Sequence, residues 1–340
     1  MRVFDRTGER RNRRKARLKF VLMRIGVEEF RRLVREELAS MPAADSAAFA
    51  RPDLSREEGP PVQLGSADGT PPGEGYELWR EVNVLPQRQD GYHAVQVSLP
   101  TGAITAEQFA ELASICHRFC GGPPRTTIEQ NLLLRWVPEA DLAALHRSLV
   151  AAGLARPTAG TILDPVACPG AETCMSAITN SKALARAVIE EFSQDGYLHD
   201  PLARRARIKL GGCPNACGHH HVADLGLHGC ALHVGERLLP AYQLLIGGGD
   251  GARLAQPVMK IPARRVPAAL RALVDHYREA RTAEEHLPDF VRRIGAQGVR
   301  DALAEYGRLP SFAEDPTAYV DWEGDKLFSL DERGEGECAV

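Results

Sequence analysis

Between Val27 and Ala39 the apolar residues Val27, Phe30, Val34 and Leu38 return every three or four positions, which predicts an amphipathic helix. Further on the period changes. "AVQVSLP" alternates Val95, Val97 and Leu99, the signature of a half-buried strand. "TAEQFAELASICHRF" returns to the helical period, with Thr105 and Gln108 as a capping box and Phe109, Leu112, Cys116 and Phe119 along one side. "RTTIEQNLLLRWV" alternates again through Ile128, Leu132, Leu134 and Trp136, predicting a second strand, and "EADLAALHRSLVAAG" predicts a helix that stops at Gly153. The order β-α-β-α predicts an α+β sheet unit. Beyond it, "RIKL", "DLGLHG" and "YQLLIGGG" read as strands, followed by two or three helices up to Tyr306.

These patterns divide the chain into a helical segment (1–39), a first sheet unit (77–155), a second unit (156–306) and a tail (307–340) that ends in the acidic, disorder-prone "DERGEGECAV". Between the first two lies a Pro-, Gly-, Ser- and acid-rich stretch (40–76), read as a linker or wrapping arm. Composition adds little until charge is located. The 42 Lys and Arg against 45 Asp and Glu give −3 overall, so nothing draws the whole chain to nucleic acid or an anionic membrane. Met1–Arg24, however, carries ten Lys or Arg against two acids. Its apolar runs are too short and too interrupted by Lys19 and Arg24 for a secretory signal, and no apolar run approaches the length of a membrane span. The expected location is therefore the cytoplasm, where the eight cysteines are thiols or metal ligands rather than disulfides.

Four of those cysteines pair as C-x5-C (Cys168, Cys174) and C-x3-C (Cys213, Cys217). Four thiolates converging on one volume suit either a cluster of iron or a zinc ion. Zinc favours the tighter C-x2-C hairpin, whereas these spacings suit a larger cubane reached from separate loops. The competing reading, small buried hydrophobes, is opposed by the Pro and Gly beside both pairs, which shape loops rather than element cores. Cys116 and Cys120, one helical turn apart, read as core packing; Cys230 reads as structural and Cys338 lies in the tail. Three consecutive histidines, His219, His220 and His221, read as three directions on a helix, at the surface or behind a site. Arg205, Arg207 and Lys209 could add positive charge just before Cys213 from one face of a strand, but read first as a solvated strand edge, and the Gly247–Gly251 run reads as a turn rather than a phosphate loop.

"CPGAETC" and "GCPNACG" together resemble the paired signatures of the assimilatory nitrite and sulfite reductases that use sirohaem coupled to a [4Fe–4S] cluster. "RTTIEQNLLL", "DLGLHG" and "YQLLIGG" resemble that family's other segments in the same order, over about residues 77–295. The resemblance is to the C-terminal half of an internally doubled chain, with "RTGERRNRRKARLKFVLMRIGVEEFRRLVREEL" resembling the end of the first half. It implies a ferredoxin-like α/β sandwich unit followed by a sirohaem/[4Fe–4S] α+β domain. It further implies that Cys168, Cys174, Cys213 and Cys217 ligate the cluster, with Cys217 bridging to the sirohaem iron and so taking part in catalysis. Arg125, Thr127, Gln130, Asn131 and Asn215 match positions near the carboxylate-rich macrocycle and carry suitable donors. The implied reaction is six-electron reduction of nitrite to ammonia or sulfite to sulfide. Its electrons would come from ferredoxin or a flavoprotein, and the rest of the anion pocket would come from a first-half unit: the favoured expectation is a separate subunit, the alternatives a homodimer that replaces it or a chain that is a fragment of a longer one. "TCMSAITNSK" favours nitrite slightly. The residues alone leave open a second class, an iron–sulfur electron-transfer or assembly protein without sirohaem.

Overall fold

A computed structural model describes residues 1–12, 15–42, 71–120, 122–194, 196–249 and 253–330. Most of the stretch read as a linker (43–70) and the acidic end (331–340) lie outside the described residues. The described residues fall into two compact units, one of residues 1–42 and one of residues 71–330. No described helix is long and apolar enough to cross a membrane.

The first unit holds α1 (Arg2–Thr7), α2 (Leu18–Ile25) and α3 (Val27–Ser40). The predicted face of α3 is present, but no residue of that helix is fully buried, and Leu38 stays 61% exposed. Leu18, Phe30, Val34, Leu38 and Met41 line an apolar groove of 780 Å³. Gly26 breaks the helix between α2 and α3 at φ 81°, ψ 161°, a conformation open in practice only to glycine.

The second unit starts with α4 (Tyr76–Asn83) and a four-stranded antiparallel sheet in the order β1-β2-β4-β3. Its strands are β1 (Val84–Pro86), β2 (Tyr92–Val97), β3 (Arg125–Thr126) and β4 (Leu132–Pro138). Helices α5 (Ala106–Phe119) and α6 (Leu142–Ala151) pack on it around Trp79, Val95, Val97, Phe119, Leu134 and Leu145. The Thr105–Gln108 capping box forms as read. The single strand expected over "RTTIEQNLLLRWV" is instead a hairpin: Thr127 to Asn131 turn, Gln130 takes φ 65°, and Ile128 is exposed at the tip. Phe109 likewise faces outward. Alternation of apolar residues does not register the five-residue turn between Thr126 and Leu132.

A second, mixed sheet runs β5-β6-β7-β8-β9, with β5 (Val166–Ala167), β6 (Ile208–Gly211), β7 (Leu225–Val234), β8 (Arg237–Ile246) and β9 (Gln256–Pro262). The first two pairings are parallel and the last two antiparallel. One face packs Ile208, Leu210, Leu225, Leu227, Leu244 and Ile261 against α7 (Ser181–Phe192), α8 (Val266–Ala280) and α9 (Leu287–Ala302). The opposite face, by strand alternation, carries Lys209, Gly211, Gly226 and His228. The stretch after Tyr306, read as a tail, packs: Ala318 and Tyr319 are buried against Leu239 and Ala241 of β8.

Helix α9 repeats the first unit's helix break. Gly295 sits inside it at φ 68°, ψ 176°. Aligning Gly295 with Gly26 pairs Arg293-Ile294 with Arg24-Ile25, and Leu287, Val299 and Leu303 with Leu18, Phe30 and Val34. The former three are fully buried in the core of the second unit.

Candidate cluster site

Parallel pairing of β5 with β6 sets Ala167 beside Leu210, so the chain leaves both strands side by side, into Cys168 and into Gly212–Cys213. The two cysteine loops are then tied together by backbone. Ile178 and Thr179 amides donate to the Gly212 carbonyl at 2.6 and 3.1 Å, and the Cys168 amide donates to Leu210 at 3.1 Å. The Gly212 amide donates to the Cys168 sulfur at 3.1 Å. Cys168 also lies 3.2 Å from the Ser181 hydroxyl. Cys174 closes a 3₁₀ turn, its amide donating to Gly170 at 2.9 Å. Cys168, Cys174 and Cys213 are half-buried and Cys217 is exposed.

The loops approach too closely for side chains. A Cβ on Gly212 would stand 2.7 Å from the Thr179 carbonyl and 2.9 Å from Gly170 Cα. One on Gly218 would stand 2.1 Å from the Leu210 carbonyl. Gly170 has φ 62°, a left-handed value suited to glycine. A glycine-lined pair of loops that carries four cysteines, one of them already accepting a backbone amide at its sulfur, has the donor chemistry of a thiolate-bound cluster. Among the described residues no three or more His, Cys, Asp or Glu are gathered for one metal ion. A cubane differs from a tetrahedral zinc in taking its thiolates at four separate iron corners.

The histidines are not on a helix. His219 takes a left-handed φ of 57° and His220 begins a 3₁₀ turn. His220 is 0% exposed, on the buried side of the two readings, and lies over the Gly-lined face of the sheet: a Cβ on Gly226 would stand 1.9 Å from its carbonyl. Its ring packs 4.4 Å from His221 and 5.1 Å from His228, and neither nitrogen has a hydrogen-bond partner among the described residues. Burial, then the neighbouring His221 and His228, pushes its pKa from 6.5 down to about 3, so it is neutral. Lys209, read as a solvated edge, is buried because β6 lies inside the sheet. Desolvation lowers its pKa while Glu129, Asp164 and Asp224 oppose that shift. Arg207 pairs with Asp224 at 3.6 Å, and Arg205 and Arg207 open into a different pocket of 450 Å³, lined by none of the cysteines. Cys116 and Cys120 are buried, as core packing requires.

The residues read as macrocycle contacts separate into two groups. Gln130 pairs its amide with the backbone of Ala167, donating at 2.8 Å and accepting at 3.1 Å; it acts as an extra strand residue beside Cys168. Asn131 is 2% exposed, accepts from the Leu99 amide at 2.8 Å and donates to Asp164 at 2.6 Å, so its amide is used inside the protein. Asp164, which also accepts from the Gly160 amide at 2.8 Å, has its pKa raised to about 6 by burial. Thr127 accepts from the Asn131 amide at 3.2 Å. Arg125 is exposed on β3 and Asn215 half-buried in the loop between Cys213 and Cys217. Sequence reasoning missed the roles of Lys209, His228 and the packed segment after Leu309, although "AYVDW" carried an aromatic signal for the last.

A small antiparallel α+β half-unit leads into a mixed sheet whose neighbouring strand ends carry two cysteine loops tied together by backbone. Residues 1–41 and 158–309 match the nitrite and sulphite reductase 4Fe-4S domain, and residues 85–152 match the nitrite/sulfite reductase ferredoxin-like half domain. The chain belongs to the nitrite and sulfite reductase family. It is 29% identical over 275 residues to the ferredoxin–nitrite reductase of Synechococcus elongatus, covering 80% of this chain and 48% of that protein. It is 28% identical over 306 residues to the assimilatory ferredoxin-dependent nitrite reductase of Haloferax mediterranei, covering 88% and 48%. The chain thus spans about half the length of these relatives. Its fold is similar to that of the Mycobacterium tuberculosis NirA protein, with a TM-score of 0.61 at 24% identity, covering 86% of this chain and 50% of that one.

Proposed function

We propose that this chain is the cofactor-bearing half of a sirohaem- and [4Fe–4S]-dependent reductase that converts nitrite to ammonia, or sulfite to sulfide. The observation that carries the reading is the joining of the two cysteine loops through Gly212, whose amide faces the Cys168 sulfur and whose carbonyl receives Ile178 and Thr179. In this reading Cys168, Cys174, Cys213 and Cys217 hold the cluster, and Cys217, the exposed one, is shared with the sirohaem iron. When bound, the coupled pair supplies electrons and an iron face for the anion. Arg125, Thr127 and Asn215 would meet the carboxylates of the macrocycle, while Gln130 and Asn131 hold the hairpin that presents them. Relatives named as ferredoxin-dependent nitrite reductases support nitrite as substrate and ferredoxin as donor.

The same reading assigns the opposite wall of the site to a first-half unit of the family, in our proposal a separate subunit. The exposed groove on α2 and α3 supports it, because the equivalent residues of α9 are those buried against the second unit's own core. Anaerobically purified protein, produced with sirohaem synthesis, should show a Soret band and a chlorin-type red band; brown cluster absorbance alone would favour an electron-transfer or assembly protein. Cys217→Ser should abolish macrocycle coupling and turnover together, and retained turnover would refute the bridge. Comparing nitrite and sulfite turnover with a chemical reductant, with and without a first-half unit, tests substrate and partner.

A further inference from the structure

Residues 310–330 lie beyond the segment that matches the 4Fe-4S domain, which ends at 309. They nevertheless run as an ordered strap across the second sheet to the helix that follows the first cysteine pair. The strap is anchored at its middle: Tyr319 is buried and donates to the Pro310 carbonyl at 2.8 Å, closing the loop on itself. Arg264 donates to the carbonyls of Val320 and Asp321 at 3.1 and 2.9 Å, and the Trp322 indole donates to Ala263 at 2.8 Å. What these anchors deliver is a pair of carboxylates. Asp321 accepts from the Asn180 backbone amide at 2.7 Å. Glu323 takes a two-pronged contact from Arg186 at 2.7 and 2.6 Å. Asn180 is the N-cap of α7 and directly follows Thr179, whose amide binds Gly212. Arg186 also approaches Glu172, between the two cysteines, at 3.6 Å.

We propose that the strap is a positioning element for the first cysteine loop, with Asp321 as its principal positioning residue: by holding the start of α7 it holds residues 168–179 in the conformation that offers Cys168 and Cys174 to one cluster. This rests on the cluster reading above. The physical case is that α7 begins where the cysteine loop ends. Without Asp321, the Asn180 amide loses a charged acceptor, and the start of α7 keeps only its ties within the two cysteine loops, to Gly212, to the Ala171 amide and to the Cys168 carbonyl. Hydrogen bonds to charged groups are the stronger ones, and partners that orient metal ligands typically change metal affinity by about 10–100-fold. Arg186–Glu323 is more exposed and contributes less.

The test is in two parts on the full chain. In the apo protein, hydrogen exchange of amides 168–180 should accelerate in Asp321→Ala while amides of β7 and β8 keep their protection. After reconstitution with ferrous iron and sulfide, Asp321→Ala should lose iron to a chelator about tenfold faster than the parent. Asp321→Asn, which keeps an acceptor oxygen, should recover most of the retention, and Glu323→Gln should change it little. Equal exchange and equal iron loss in parent and Asp321→Ala would overturn the proposal, as would loss of protection throughout the sheet. A parent that takes up no cluster would instead overturn the cluster reading itself, with the exchange comparison still deciding the strap.

Discussion

His220 sits between two other imidazoles on the glycine-lined face of the sheet, and its chemistry follows from that setting. Its folded-state pKa is depressed, so its contribution to stability is complete above about 6.5 and is lost as pH falls toward about 3, because only the unfolded chain takes up the proton. Urea midpoints measured across that window should therefore fall less steeply for His220→Leu than for the parent. Asn131 makes the complementary prediction. Asn131→Ala leaves the Leu99 amide and one donor contact to the buried Asp164 unmade, which should cost about 1–3 kcal/mol in urea unfolding. Neither role was legible from residue type. A triple histidine looks superficial and an Asn beside a family motif looks like a donor, because sequence spacing does not report which side of a sheet a loop folds over.

At the scale of elements, the decisive contact is that of β5 with β6. Neither strand is long, and β5 is too short to leave a periodic signal, yet their parallel register brings two cysteine pairs some forty residues apart to neighbouring strand ends. Gly212 is where the loops touch. Gly212→Ala would press a methyl against two backbone groups, and overpacking of this kind costs about 1–3 kcal/mol. Iron and sulfide per chain after reconstitution should fall with it, since the same substitution pushes Thr179 away from Cys168. The helices were largely legible: the α5 capping box is satisfied within its element, and the helical period of α3 is visible along the chain whatever covers its apolar face. The hairpin at Thr127–Asn131 was not, because its turn depends on Gln130 pairing with Ala167 in the other sheet.

For the whole molecule, the repeated helix–glycine–helix pattern offers a template. Leu287, Val299 and Leu303 are buried, while their counterparts Leu18, Phe30 and Val34 line an open groove. If the proposed first-half unit seats on this groove, Phe30→Asp should weaken their association by about 2 kcal/mol, roughly 30-fold, in a titration that changes little with salt. The melting of the second unit should stay unchanged. The amino-acid sequence by itself determined most of the helices, the presence of both sheets and the family that the cysteine motifs resemble, because period, capping and motif spacing are properties of neighbours along the chain. Only the tertiary structure decided that the cysteine loops meet through one glycine, that Lys209 and His220 are buried beside them, and that the segment after Leu309 is tied to the cysteine loop. Those facts depend on sheet order and on side-chain faces, which are set by contacts between residues tens to hundreds of positions apart and are not encoded in any local pattern.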